Sequence, residues 1–137
     1  MKLLLTSAFF TSLIFLVIDV LWLSFAVKSF YRPNLGNLLL DRPVFWAAVL
    51  FYLVYVLGVT IIVIQPSLNN NSLFQAFYIG CVLGIVSYGT YNLTNMATIK
   101  GWSPYVVFVD ILWGGILTGT SSIFGIMIAK KLLNKVI

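Results

Sequence analysis

An all-α membrane domain, a polytopic bundle of four antiparallel transmembrane helices, is the fold this sequence predicts, and three observations predict it. Of its 137 residues, 61% are hydrophobic and 8% are charged, against about 25% charged in an average soluble domain. Eight basic and three acidic side chains cannot cover a water-facing surface, so the surface faces lipid. The apolar residues also fall into four runs, each as long as the roughly 20 residues that cross a bilayer. Turn formers separate the runs: Pro33 and Gly36, then Pro66, then Gly101 and Pro104.

The single domain covers residues 1–137, with spans at about 3–27, 43–64, 73–98 and 104–129. The first run follows Lys2. A cleaved signal has an apolar core of about 7–15 residues and a small-residue cleavage site. This run is longer, carries Asp19 and shows no such site, so it reads as a transmembrane helix. Residues 28–42 read as a polar connection broken by Pro33 and Gly36, with Leu38, Leu39 and Leu40 lying in the interface. Pro43 suits the first turn of the second helix, which is expected to end before Gln65-Pro66. Asn69-Asn70-Asn71 makes a neutral turn into the third span, and Ser103 is placed to cap a fourth helix starting at Pro104. A short basic tail with Lys130, Lys131 and Lys135 closes the chain. The cations on the two sides balance, so the positive-inside rule gives no orientation.

Polar groups inside this apolar chain are the candidates for function. Asp19 lies eight residues before Val27, about 12 Å deep, and Asp110 six residues past Pro104, about 9 Å deep. Both therefore fall in the half of the membrane facing residues 28–42 and 99–104, called here the loop side. Tyr88, Tyr91, Asn92, Asn95 and Thr98 follow helical i, i+3, i+4, i+7 spacing and predict one face of the third helix in the same half. Adding Trp22 and Trp113, next to the two carboxylates, gives a ligand pocket of Asp19, Trp22, Tyr88, Tyr91, Asn92, Asn95, Asp110 and Trp113. Trp46, Tyr52 and Tyr55 could join from the second helix. Lys28, Arg32, Arg42 and Lys100 would ring the mouth as head-group contacts. Trp102 and Tyr105 read as interface belt, and Trp22 carries that reading beside its place in the pocket.

A carboxylate at the centre of a membrane helix costs about 2.5–3.5 kcal/mol on insertion scales, so it faces the bundle interior and has partners. Two roles stay open for Asp19 and Asp110: a structural clamp across helices, or a proton- or ligand-binding group. In the other half of the membrane, Ala76, Gly80 and Gly84 with Gly115 and Gly119 form small-xxx-small patterns that let backbones approach. These glycines either close the bundle or, if left free, offer a homodimer face.

Several chemistries are excluded. The chain has no His, and Asp19, Asp41 and Asp110 are its only acids. That removes His-ligated haem or zinc and His-based triads. Cys81 is the one cysteine and has no internal disulfide partner. No nucleophile–base pair and no metal set is visible, so no catalytic residue, metal or cofactor is assigned. The basic residues sit at the ends of apolar runs, where they meet lipid head groups, which argues against nucleic acid as a partner.

Several stretches together resemble a family of bacterial membrane proteins known as domain of unknown function twenty-one seventy-seven. They are Asp19-Val-Leu-Trp22-Leu, the Tyr31-Arg32 to Leu35-Gly36 loop, Phe51-Tyr52-Leu-Val-Tyr55, Tyr88-Gly-Thr-Tyr91-Asn92-Leu-Thr94-Asn95, Lys100-Gly-Trp102 and Asp110-Ile-Leu-Trp113-Gly114. The family reads Tyr-Asp-Leu-Thr-Asn where this chain has Asn92, so an amide replaces a carboxylate and charge chemistry at that position is lost. The resemblance implies an integral protein of the bacterial cytoplasmic (inner) membrane with a connection to lipid. Three functions remain open: binding or moving an amphiphilic, lipid-like ligand with proton exchange at Asp19 or Asp110; a structural or assembly partner whose polar cluster only locks the fold; and an enzyme of lipid metabolism.

Overall fold

A computed structural model describes residues 1–134 of the chain; Lys135, assigned above to the basic tail, lies outside them. Six α-helical segments make four antiparallel spans: α1 (Lys2–Ala26), α2 (Arg32–Leu35), α3 (Phe45–Val59), α4 (Gln65–Asn69), α5 (Leu73–Thr98) and α6 (Pro104–Asn134). All four are long and apolar enough to cross a membrane.

Two of the expected helix ends are not ends. The first span was expected to stop at 27 and give way to a loop broken by Pro33. Instead, a five-residue π-turn, Val27–Tyr31, carries the helix straight into α2. The second span was expected to end before Gln65-Pro66, and a second π-turn, Thr60–Ile64, carries it into α4. The two junctions share one physical cause. A proline in a helix has no N–H and its ring meets the carbonyl four residues back. In each junction the residue before the proline donates five residues back, Arg32 N–H to Val27 and Gln65 N–H to Thr60. The turn widens by one residue just ahead of Pro33 and Pro66, and the helix passes the proline unbroken. The chain then turns at Gly36, whose φ of 51° suits glycine. An irregular segment leads on to α3.

The fourth span is the hub. Half of its most apolar stretch is buried, against 22% of the corresponding stretch in each of the other three. Its glycines explain the position. Gly80 and Gly84 on α5 lie directly on Gly119 and Gly114 of α6, where a methyl group at Gly80 would sit 2.9 Å from the Gly119 Cα. On the opposite flank Gly125 receives the Thr11 side chain and backbone of α1. The predicted glycine contacts are thus made inside the chain, between α5 and α6. The core between the spans is built from Phe15, Tyr55, Val59, Val63, Ile64, Ala76, Leu117 and Ile126.

At its other end α5 is capped by Ser72, whose hydroxyl accepts from the Gln75 N–H at 3.1 Å. The fourth helix was expected to end near 129 but runs to Asn134, bringing Lys130 within 2.6 Å of the Asn71 side-chain oxygen in the turn before α5. The loop-side half of α3 behaves differently from the rest. From Phe45 to Val54 none of its residues is buried, and Tyr55 is the first that is. The other spans leave this half largely uncovered, and Tyr52 ties it to Asp19 of α1 at 2.6 Å.

Candidate functional site

Both membrane carboxylates are inside the bundle, each with 6% of its surface accessible. They do not share one pocket, however. Each heads its own hydrogen-bond network, and two stacked indoles join the networks.

The Asp110 network lies nearer the loop side. Its Oδ1 accepts from the Tyr31 hydroxyl at 2.5 Å, and that hydroxyl accepts from Trp22 Nε1 at 3.2 Å. Its Oδ2 accepts from Asn92 Nδ2 at 3.1 Å. Asn92 is fully buried and fully used: the same nitrogen also donates to the Tyr88 carbonyl at 3.1 Å, and its oxygen accepts from Trp102 Nε1 at 3.3 Å. Burying an amide without partners is costly, and this one has a partner on each side.

The Asp19 network is one turn deeper on α6. Asp19 Oδ2 accepts from the Tyr52 hydroxyl at 2.6 Å and Oδ1 from Trp113 Nε1 at 3.3 Å. Below it, the Tyr55 hydroxyl and Thr118 hydroxyl meet at 2.7 Å, and the Thr118 hydroxyl lies 2.7 Å from the Gly114 carbonyl, to which it donates. Trp22 and Trp113 then stack at 4.5 Å between ring centres with planes 21° apart. That geometry is the favoured offset arrangement.

Among the predicted pocket residues, Asp19, Trp22, Asn92, Asp110 and Trp113 are members of these networks. Tyr88 contributes through its backbone carbonyl, while its ring packs over Gly114. The predicted single face of the third helix divides: Asn92 points inward, whereas Tyr91 is 56% exposed and Thr98 is exposed and bonded back to the Thr94 carbonyl. Asn95 sits half-buried beside them.

Tyr31 was not among the predicted site residues, and Trp102 was read as interface belt. No spacing rule would have found Tyr31. At about 100° per residue it would lie opposite Trp22 on an unbroken α-helix, and the extra residue of the π-turn is what swings it round. Tyr52 did carry a signal, as a tyrosine on the second helix at the depth of Asp19.

Above Asp110 opens a cavity of about 460 Å³. Its walls are apolar, from Leu23 on α1, Val27 in the first π-turn, Leu35 on α2, the Leu38–Leu40 segment and Val106 on α6. Its polar groups are linked: Tyr31 bonds to Asp110, Trp102 reaches it through Asn92, and the Tyr91 ring meets that of Trp102, while Arg32 and Asp41 also border the cavity. Arg32 Nη1 and Asp41 Oδ1 stand 3.5 Å apart, and both are well exposed. Of the four predicted head-group contacts only Arg32 lines this cavity; Lys28, Arg42 and Lys100 are exposed outside it. Among the described residues no group of three or more acidic or cysteine side chains is placed to hold a metal ion.

Fold and site together define a class, a four-span integral membrane protein with a carboxylate–amide–indole network buried at one membrane face. Within that class the chain belongs to a specific family: the family model described as predicted membrane protein (DUF2177) matches residues 4–127. No curated protein and no solved structure matches the chain.

Proposed function

We propose that the loop-side cavity binds an amphiphilic, lipid-like ligand with an anionic head group, in the cytoplasmic membrane of a bacterium. The observation that carries this reading is the sorting of the cavity lining. Apolar side chains make most of the lining, and among the polar groups Tyr31 bonds to Asp110 directly and Trp102 through Asn92. A volume near 460 Å³ falls in the usual range of small-molecule sites, about 300–1,000 Å³, whose lining is mostly apolar with a few placed polar groups. Arg32 at the rim supplies the positive charge, and its only ionic partner among the described residues is an exposed one that a ligand can displace.

The clamp reading has its own support at the other carboxylate. Both oxygens of Asp19 are taken by Tyr52 and Trp113, from two further spans. Both oxygens of Asp110 are bonded too, by Tyr31 and Asn92, but Asp110 also borders the cavity, so in this reading Asp19 serves the fold and Asp110 the ligand. Native mass spectrometry of the purified protein tests the division. The parent protein should carry a retained lipid, Asp110→Asn and Arg32→Gln should fold and lose it, and Tyr52→Phe should keep it while losing stability. A protein that retains nothing, or an Asp110→Asn protein that retains the same lipid as the parent, would refute the ligand reading.

A further inference from the structure

A second, open cavity of about 530 Å³ lies between α3 and α5, along the part of α3 that other spans leave largely uncovered. It is bordered by Trp46, Leu50 and Val54 on one side and by Leu83 and Ser87 on the other, with Tyr55 and Gly58 at its deep end. Two registers bring its border close to that of the first cavity. On α5, Ser87 borders the second cavity and Tyr91, one helical turn on, borders the first. Along the chain, Pro43 lines the first and Trp46 the second. Both linings are mostly apolar, and what separates them is charge: Arg32, Asp41 and Asp110 border the first, and no charged side chain borders the second.

We infer that the two cavities are one site for a single-chain glycerophosphate amphiphile, with the head group above Asp110 and the acyl chain lying in the groove between α3 and α5. The inference rests on the ligand reading of the first cavity and adds the occupant's chemistry and its route. A phosphate suits Arg32, and glycerol hydroxyls suit the acceptor oxygens of the buried Asp110 and the phenol of Tyr31. The depth suits a chain. Trp46 to Gly58 spans about 18 Å of helix, and one leaflet of a bilayer is about 15 Å of hydrocarbon. The groove is open along its length, since Trp46, Leu50 and Val54 are 73%, 54% and 63% exposed. A chain therefore enters sideways from the leaflet. Because it moves from one apolar phase into another, its length preference, more than its affinity, reports the groove.

The test uses lysophosphatidylglycerols with octanoyl, dodecanoyl and hexadecanoyl chains, titrated onto the delipidated full-length protein in detergent and counted by native mass spectrometry. The parent protein should prefer the longest chain over octanoyl by at least about tenfold. Gly58→Phe places a ring at the deep end, where nothing stands within 4 Å of an added Cβ. It should remove the preference for hexadecanoyl and leave octanoyl binding unchanged. Ala47→Trp, nearer the rim, should flatten the whole series. If both variants keep the parent's chain-length profile, the groove holds no chain and the inference fails, while the head-group pocket stands. If the parent binds none of the three, the ligand reading itself falls.

Discussion

One methyl group added at Gly84 should unseat the α5–α6 seam, and the same methyl at Gly58 should not. At Gly84 the new carbon would overlap the Gly114 carbonyl oxygen and lie 2.8 Å from the Gly115 nitrogen. Both are backbone atoms in the most buried helix, so no side chain can rotate away and the two helices must part. Overpacking of a tight core costs about 1–3 kcal/mol. At roughly 4 °C per kcal/mol for a chain of this size, Gly84→Ala should lower Tm by about 4–12 °C. At Gly58 nothing lies within 4 Å of the added carbon. The helix there loses a residue of poor propensity, so Gly58→Ala should be neutral or stabilising by up to about 1 kcal/mol. Thermal unfolding of both variants in one detergent, followed by size-exclusion retention after heating, measures the contrast. Equal shifts in the two variants, or a Gly84→Ala protein as stable as the parent, would mean that the helices are not in the contact described.

Other substitutions probe the networks. Tyr52→Phe removes the donor at 2.6 Å from Asp19; it should cost about 1 kcal/mol and speed hydrogen exchange over residues 45–54 while leaving α5 unchanged. Trp22→Phe and Trp113→Phe should each remove the same near-ultraviolet circular dichroism band, since the two indoles stack at 4.5 Å, whereas Trp46→Phe should leave it intact. Ser72→Ala deletes the cap of α5 and should lower stability by about 1 kcal/mol; Ser72→Asp, which restores an acceptor, should recover it.

The four spans were legible because hydropathy over a run of residues is a sum that no single contact overturns. Depth was legible too. Counting 1.5 Å per residue put Asp19 deeper than Asp110, and Asp19 indeed meets Trp113, one turn further into α6 than Asp110. The small-residue pattern on α5 and α6 named the pair of faces that meet. What could not be read was which donor each carboxylate takes, because that depends on helix rotation. Tyr31 reaches Asp110 only through the π-turn before Pro33, and a proline in a sequence reads first as a stop. Trp102 has the composition of an interface anchor, and only the turn at Gly101, with φ of 84°, aims its indole back at Asn92. The division into two networks was hidden for the same reason: one count of depth gives one layer, whereas two partners on different helices make two.

The paired π-turns also set where this chain can change length. Deleting a residue from α5 rotates everything beyond it by about 100° and pulls the glycines off α6. A residue removed from Thr60–Ile64 instead returns a wide turn to ordinary α spacing, and the helix on either side keeps its facing. Only Pro66 then obstructs, as its ring would meet the carbonyl that the wide turn had moved aside. The second span is thus one residue longer than its path requires, and the surplus is the space that lets a proline stand inside a membrane helix.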